Sequence, residues 1–272
     1  MTVKAFAPAK LNLALHVTGQ RSDGYHLLDS LVVFADVGDR IEVTDAPDLS
    51  LTVSGPRAAG VPTGPENLVL KAARLLSPGR GAAIHLEKHL PSQAGIGGGS
   101  SDAAATIRAL CELWQIELDA DPLTLGADVP VCLAMSSARM QGIGERLEPL
   151  PPLPPLWVVL CNPGAALPTP AVFGALGNKS NLPIKFPPSG AFLSWLKDQR
   201  NDLQEAAVQL APQVGACLAL IAQQKGVAVT RMSGSGATCF GLFKSSELAD
   251  LAARNISGIQ PNWWTVSTSL LR

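Results

Sequence analysis

Between Pro91 and Asp102 the chain reads PSQAGIGGGSSD, with four glycines among residues 95–99. The stretch follows a strand-like alternation, Ala82, Ile84 and Leu86, and precedes a helical stripe, Ala104, Ile107, Cys111 and Trp114. A glycine has no Cβ, so its backbone takes positive φ angles and comes close to a ligand. Ser100, Ser101 and Asp102 are the N-cap candidates for the helix. A helix start adds unbonded N–H groups and a dipole worth about half a charge. A mobile loop with a serine cap is the plainer reading. Glycines this dense at a strand-to-helix junction favour a phosphate cradle. No Lys-Ser or Lys-Thr follows, so it is not a GxxxxGK[ST] loop, and it lies too far along the chain for a dinucleotide fingerprint.

Three further segments carry polar groups in apolar settings. PAKLNLAL at 8–15 puts Lys10 and Asn12 on one face of an extended strand. An edge strand with a solvated face fits that pattern equally well. GADVP at 126–130 sets Asp128 in a run that is otherwise apolar from Leu123 to Ala134. Such a carboxylate either forms a turn or is a positioned functional group, and the pattern alone leans to the turn. MSGSGA at 232–237 is a second glycine-serine loop, which by itself reads as a hairpin turn.

PLPPLPP at 149–155 cannot continue a helix or sit in a central strand, so a domain boundary is expected there, dividing 1–150 from 151–272. DLSLTVS at 48–54 alternates as a half-buried strand, and ENLVLKAARLL at 66–76 has helical spacing. LWVVL at 156–160 resembles a fully covered strand. Asn201-Asp202 is expected to open a helix, with Glu205 completing a capping box. Its apolar face would be Ala207, Leu210, Val214, Leu218 and Ile221, kinked at Pro212. Val227 and Val229 alternate into the second loop, and Thr238, Phe240 and Leu242 alternate out of it.

Apolar residues at 47% against 16% charged exclude a disordered chain, and a net charge of −1 offers no basic field for nucleic acid or an anionic membrane. The five cysteines contain no CxxC pair and read as isolated thiols. The opening MTVKAFAPAKLNLAL lacks a signal peptide's apolar core, and no apolar run reaches about 18 residues. The expectation is a soluble, cytoplasmic protein.

Together the segments resemble the GHMP kinases, the superfamily of galactokinase, homoserine kinase, mevalonate kinase and phosphomevalonate kinase. Residues 8–12 match its Pro-Ala-Lys segment, 91–101 its glycine loop and 232–237 its C-terminal glycine loop. PAKLNLALHVTGQRSDGYHLLDSLVVF at 8–34, GADVP, QGIGERLEPL at 141–150, LPTPAVF at 167–173 and NDL at 201–203 resemble one branch. That branch comprises the kinases of 4-diphosphocytidyl-2-C-methyl-D-erythritol in non-mevalonate isoprenoid biosynthesis.

The resemblance implies a two-domain α+β fold: an N-terminal domain like ribosomal protein S5 domain 2 and a ferredoxin-like C-terminal domain. It implies ATP and Mg²⁺, with no protein metal ligands assigned, and a small-molecule acceptor in a monomer or weak homodimer. Lys10 and Asp128 match the catalytic pair. Pro91, Ser92, Gln93, Ala94, Gly95, Ile96, Gly97, Gly98, Gly99, Ser100 and Ser101 match the ATP phosphate loop. Asn12 and Thr169 match the methylerythritol end, and Tyr25, His26 and Phe173 the cytidine pocket. Two departures stand out. The connection at 119–125 is shorter than in relatives. The lysine that often follows GADVP is absent, with Arg139 the nearest basic residue. Another small-molecule kinase of the superfamily, or a nucleotide-binding protein that has lost transfer, are the competing readings.

Overall fold

The computed structural model describes residues 1–186 and 192–271. They form two compact units that interleave along the chain. The first comprises Met1–Lys10, Val37–Ser92 and Gly97–Met135, and the second comprises Leu11–Asp36, Gln93–Ile96 and Ser136–Arg272. The boundary expected at residue 150 divides the chain by order, whereas these units divide it by contact. The difference comes from two strands, β1 (Thr2–Gln20) and β2 (His26–Asp45), of 19 and 20 residues. A usual strand has about five or six residues, so each of these serves both units.

In the first unit the latter part of β2 pairs antiparallel with β4 (Ala82–Glu87), which pairs parallel with β3 (Ser50–Ser54). α1 (Leu68–Leu76) starts where Asn67 accepts a hydrogen bond from the Val69 N–H at 2.9 Å. It packs on α2 (Gly98–Trp114), which also meets the short α3 (Val129–Ala134). Ile41, Val43, Ile84 and Leu86 from the strands close on Val69, Ala73, Ala109 and Trp114 from the helices. The alternation read from the sequence, Ala82, Ile84 and Leu86, faces this core, but of the helical stripe only Trp114 does; α2 otherwise presents Ala105, Ala109 and Leu110 to it. The short 119–125 connection contains a 3₁₀ turn, Pro122–Leu125, with no buried residue. A length change there costs little packing.

In the second unit β5 (Ala138–Gly142) pairs antiparallel with β2 and with β6 (Arg146–Pro149). A separate four-stranded antiparallel sheet follows, built from β7 (Trp157–Asn162), β8 (Val229–Met232), β9 (Cys239–Phe243) and β10 (Trp264–Ser269). Its order is β10-β7-β9-β8. With α4 (Thr169–Gly174), α5 (Phe192–Lys197), α6 (Gln204–Leu210), α7 (Pro212–Ala222) and α8 (Ser246–Ile259), the chain order places helices between β7 and β8 and between β9 and β10, as in a ferredoxin-like layer. Val159, Phe243, Val214, Ile221 and Ile256 lie in its core.

Three local expectations are corrected. Asn201 and Asp202 stand before the helix rather than in its first turn: Asn201 Oδ1 accepts from the Leu203 N–H at 3.0 Å, while its Nδ2 and the Asp202 carboxylate bond elsewhere. Asn201 donates to the Met232 and Gly234 carbonyls, and Asp202 accepts from the Val17 N–H. Helix α6 starts at Gln204 without a side-chain cap. Pro212 does not kink a helix; it occupies the first turn of α7, where its missing N–H costs nothing. The break turns Leu210 outward to 49% exposure.

Candidate active site

Lys10 Nζ lies 2.9 Å from Asp128 Oδ2. Both residues belong to the first unit. Lys10 projects from β1 with its side chain 4% exposed, while that of Asp128 is 28% exposed. The solvated edge-strand alternative for Lys10 is excluded by that burial. Asp128 occupies the N-cap position of α3, yet its side chain makes no capping hydrogen bond. The turn that the sequence pattern leaned towards exists, but the carboxylate is directed to lysine rather than to its own helix.

The glycine loop borders this pair. Gln93, Gly95 and Gly97 have φ of 51°, 71° and 64°, a left-handed conformation that glycine adopts without steric cost. A Cβ on Gly97 would stand 3.1 Å from both Cβ and Cε of Lys10. Gly97 is the N-cap of α2 and has no side-chain cap bond. The expected caps therefore lie within the helix: Ser100 and Ser101 fall in its first turn and Asp102 just beyond it, because the glycines themselves begin the helix. Ser101 Oγ donates instead to the Pro8 carbonyl at 2.8 Å, which ties the first turn to β1. N–H groups at the start of α2 have no acceptor within the helix, the condition for holding phosphate oxygens.

A charged cluster lies under the same turn. Lys88 Nζ would be 3.3 Å from a Cβ on Gly98. It donates to Asp102 Oδ2 at 2.8 Å and pairs with Asp39. Asp39 Oδ1 accepts from the His89 and Leu90 N–H groups at 2.6 and 2.8 Å. One ammonium thus faces two carboxylates, and Asp102 Oδ1 is buried without a hydrogen-bond partner among the described residues. Burial pushes the Asp102 carboxyl up to about 8; Lys88 opposes the rise and Asp39 adds to it. Burial pulls Lys88 down, but Asp102 and Asp39 hold it above its ordinary value.

In the second unit, Asn12 is buried and donates through Nδ2 to Ser30 Oγ at 2.7 Å. Its backbone N–H donates to Ser233 Oγ at 3.1 Å, and Ser233 Oγ donates to the Gly95 carbonyl at 2.9 Å. Thr169 and Ser235 hydroxyls are 2.9 Å apart. Alternate serines of the second glycine loop therefore engage the two residues assigned to the methylerythritol end. That loop is the β8–β9 turn, as read, but its serines also bond Asn12 and Thr169. Sequence reasoning had singled out the loop at 232–237 but not the part of Ser233 within it, and not Ser30.

His26 stacks on Phe173 with ring centroids 4.7 Å apart at 27°. Tyr25 is 61% exposed and stands outside that stack. The imidazole, not the Tyr25 ring, lies on the face of Phe173. His26 Nε2 is buried and lacks a partner among the described residues. Burial, and then Lys179, lower its pKa, which disfavours the charged ring. Arg139 makes a bidentate bond to Asp29, at 2.8 and 2.7 Å, which in turn accepts from the Ile184 N–H. Its guanidinium is a strut within the second unit.

Comparison with known proteins gives a consistent picture. Residues 67–136 match the family described as GHMP kinases N terminal domain, and 189–260 match GHMP kinases C terminal. A 4-diphosphocytidyl-2-C-methyl-D-erythritol kinase of Dinoroseobacter shibae is 56% identical, over 98% of this chain and 95% of that protein. The crystal structure of a 4-(cytidine 5'-diphospho)-2C-methyl-D-erythritol kinase superposes with a TM-score of 0.80 at 34% identity, covering 98% of each chain. Homoserine kinase from Cytophaga hutchinsonii superposes at 0.68 with 18% identity, over 99% of this chain and 94% of that one. The last likeness is one of fold alone.

Proposed function

We propose that this chain, which belongs to the 4-diphosphocytidyl-2-C-methyl-D-erythritol kinase family of the GHMP kinases, moves the γ-phosphoryl group of ATP to the 2-hydroxyl of 4-diphosphocytidyl-2-C-methyl-D-erythritol. The products are the 2-phosphate and ADP. The observation that carries this reading is the Lys10–Asp128 pair, 2.9 Å apart and bordered by Gly97.

The acceptor hydroxyl loses its proton as its oxygen bonds to phosphorus and the bond to the ADP oxygen breaks. Asp128 takes that proton, and its partial exposure leaves it within reach of an alcohol. Lys10 holds Asp128 in place through the ion pair and lends positive charge to the transferring group. The transition state is loose, so positioning and electrostatics supply most of the acceleration. Residues 91–101 hold the triphosphate. The glycines leave room for phosphate oxygens and the first turn of α2 supplies N–H donors. When bound, Mg²⁺ would neutralise ATP charge, held chiefly through the phosphates; Ser100 of the loop would offer a hydroxyl, whereas Ser101 is buried and donates to the Pro8 carbonyl.

Asn12 and Thr169 orient the methylerythritol, positioned by Ser30, Ser233 and Ser235. Phe173, His26 and Tyr25 hold the cytidine. The unpartnered Nε2 of His26 suits the polar edge of a base. In chain order, 1–150 and 151–272 are the two family domains. No helix among the described residues is long and apolar enough to cross a membrane, and the site of action is the cytoplasm.

A coupled ADP-release assay tests the assignment. The cytidine substrate supports turnover, and mevalonate and homoserine do not. Free methylerythritol is a very poor acceptor, because binding energy from the remote cytidine positions the reacting hydroxyl. Equal turnover with methylerythritol and its diphosphocytidyl form would leave only the superfamily reading.

A further inference from the structure

The Lys10–Asp128 pair joins a strand to a six-residue helix. A helix this short does not hold its own position, since even segments of about 12 residues are marginal alone. Asp128 gives it no side-chain cap. Something else must fix where α3 lies against β1.

Arg108 of α2 makes that connection, and all the groups involved belong to the first unit. Its Nη1 donates to the Cys132 carbonyl at 2.9 Å and its Nη2 to the Phe6 carbonyl at 2.7 Å. Cys132 follows Asp128 by four residues, and Phe6 precedes Lys10 by four. Each arm of the guanidinium therefore ends about one helical turn, or four strand residues, from one member of the pair. The Cys132 carbonyl lies in the last turn of α3, where C=O groups lack intrahelical partners, and a cation suits that negative end. The guanidinium is planar, with donors in a fixed fork, so the spacing it imposes is rigid in a way a lysine could not match. Both bonds go to carbonyls and neither to a carboxylate. A half-buried cation whose two bonds end on carbonyls, with no ion pair among the described residues, is costly, and its return here is geometry.

We propose that Arg108 is a positioning residue that sets the distance between Lys10 and Asp128. This rests on the reading of Asp128 as proton acceptor. Removing the fork frees α3 to shift, and a displacement of about 1 Å at a reacting group costs on the order of a hundredfold in rate.

The test is a double-mutant cycle of wild type, Arg108→Met, Asp128→Asn and the double variant, with kcat and both KM values measured and folding checked by thermal melting. Arg108→Met lowers kcat by roughly 10- to 100-fold and leaves KM for ATP within about twofold. In the Asp128→Asn background the same change lowers kcat by less than about threefold, because there is no carboxylate left to position. Equal losses in both backgrounds, or a rise in both KM values with kcat unchanged, overturn the proposal while the reading of Asp128 stands. Near-normal kcat in Asp128→Asn alone removes the acceptor reading and this inference with it. If Arg108→Met does not fold, Arg108→Lys takes its place in the cycle. A kcat loss that vanishes beside Asp128→Asn then supports the strut, and equal losses in both backgrounds overturn it.

Discussion

Gly97 lies against the stem of Lys10, so closely that a methyl group on it would stand 3.1 Å from both the Cβ and the Cε of the lysine. The glycine loop and the lysine are therefore one device. Glycine is required there twice, once for its φ of 64° and once for the space that Lys10 fills.

Gly97→Ala tests that coupling. A left-handed alanine costs about 1–2 kcal/mol, and the new methyl displaces either the loop or the lysine. The expected outcome is a fall in kcat of roughly tenfold together with weaker ATP binding. Steady-state kinetics at saturating acceptor measure both. Unchanged kcat and ATP affinity would mean that the loop does not set the position of Lys10.

Much of this device was legible in the sequence, and the limits of legibility have physical causes. Four glycines at a strand-to-helix junction announce a close backbone approach, and the alternation of Ala82, Ile84 and Leu86 gives the strand before it. Ser100, Ser101 and Asp102 were misread as caps because capping residues usually precede a helix, whereas here the helix starts on glycine and the serine turns to Pro8. The role of Asp202 was hidden because its partner, the Val17 N–H, lies 185 residues away in sequence. Arg108 was silent for a similar reason: both its partners are backbone carbonyls, which leave no mark on residue type. Local spacing reports helices and turns, while long-range hydrogen bonds decide which polar side chains do something else.

The cluster under the loop predicts a pH dependence of stability. The Asp102 carboxyl is pushed up to about 8 in the folded chain, against about 3.9 for an unfolded aspartate. Between those values the folded state binds more protons than the unfolded one, so stability falls as pH rises. Asp102→Asn keeps the shape and removes the titration. From about pH 5 to about pH 8, melting temperature should fall less steeply in the variant than in the unmodified protein. Parallel curves would show that Asp102 ionises freely under Lys88.

Phe173→Ala tests the cytidine pocket. Stacking of a base on an aromatic ring is worth about 1–3 kcal/mol, so KM for the cytidine substrate should rise roughly 10- to 100-fold with kcat little changed. KM for ATP should stay within about twofold. Phe173 also packs on the core of the second unit. A lower melting temperature with equal damage to both substrates would make it a packing residue only.

The most direct measurement is the single-turnover rate of phosphoryl transfer in Asp128→Asn, with ATP affinity measured on the same protein by calorimetry. The substitution preserves shape and removes the proton acceptor that Lys10 holds at 2.9 Å. The rate is predicted to fall by about 10²- to 10⁴-fold while ATP affinity stays within about twofold. A near-normal transfer rate would remove Asp128 from the chemistry, and with it the mechanism built on the pair.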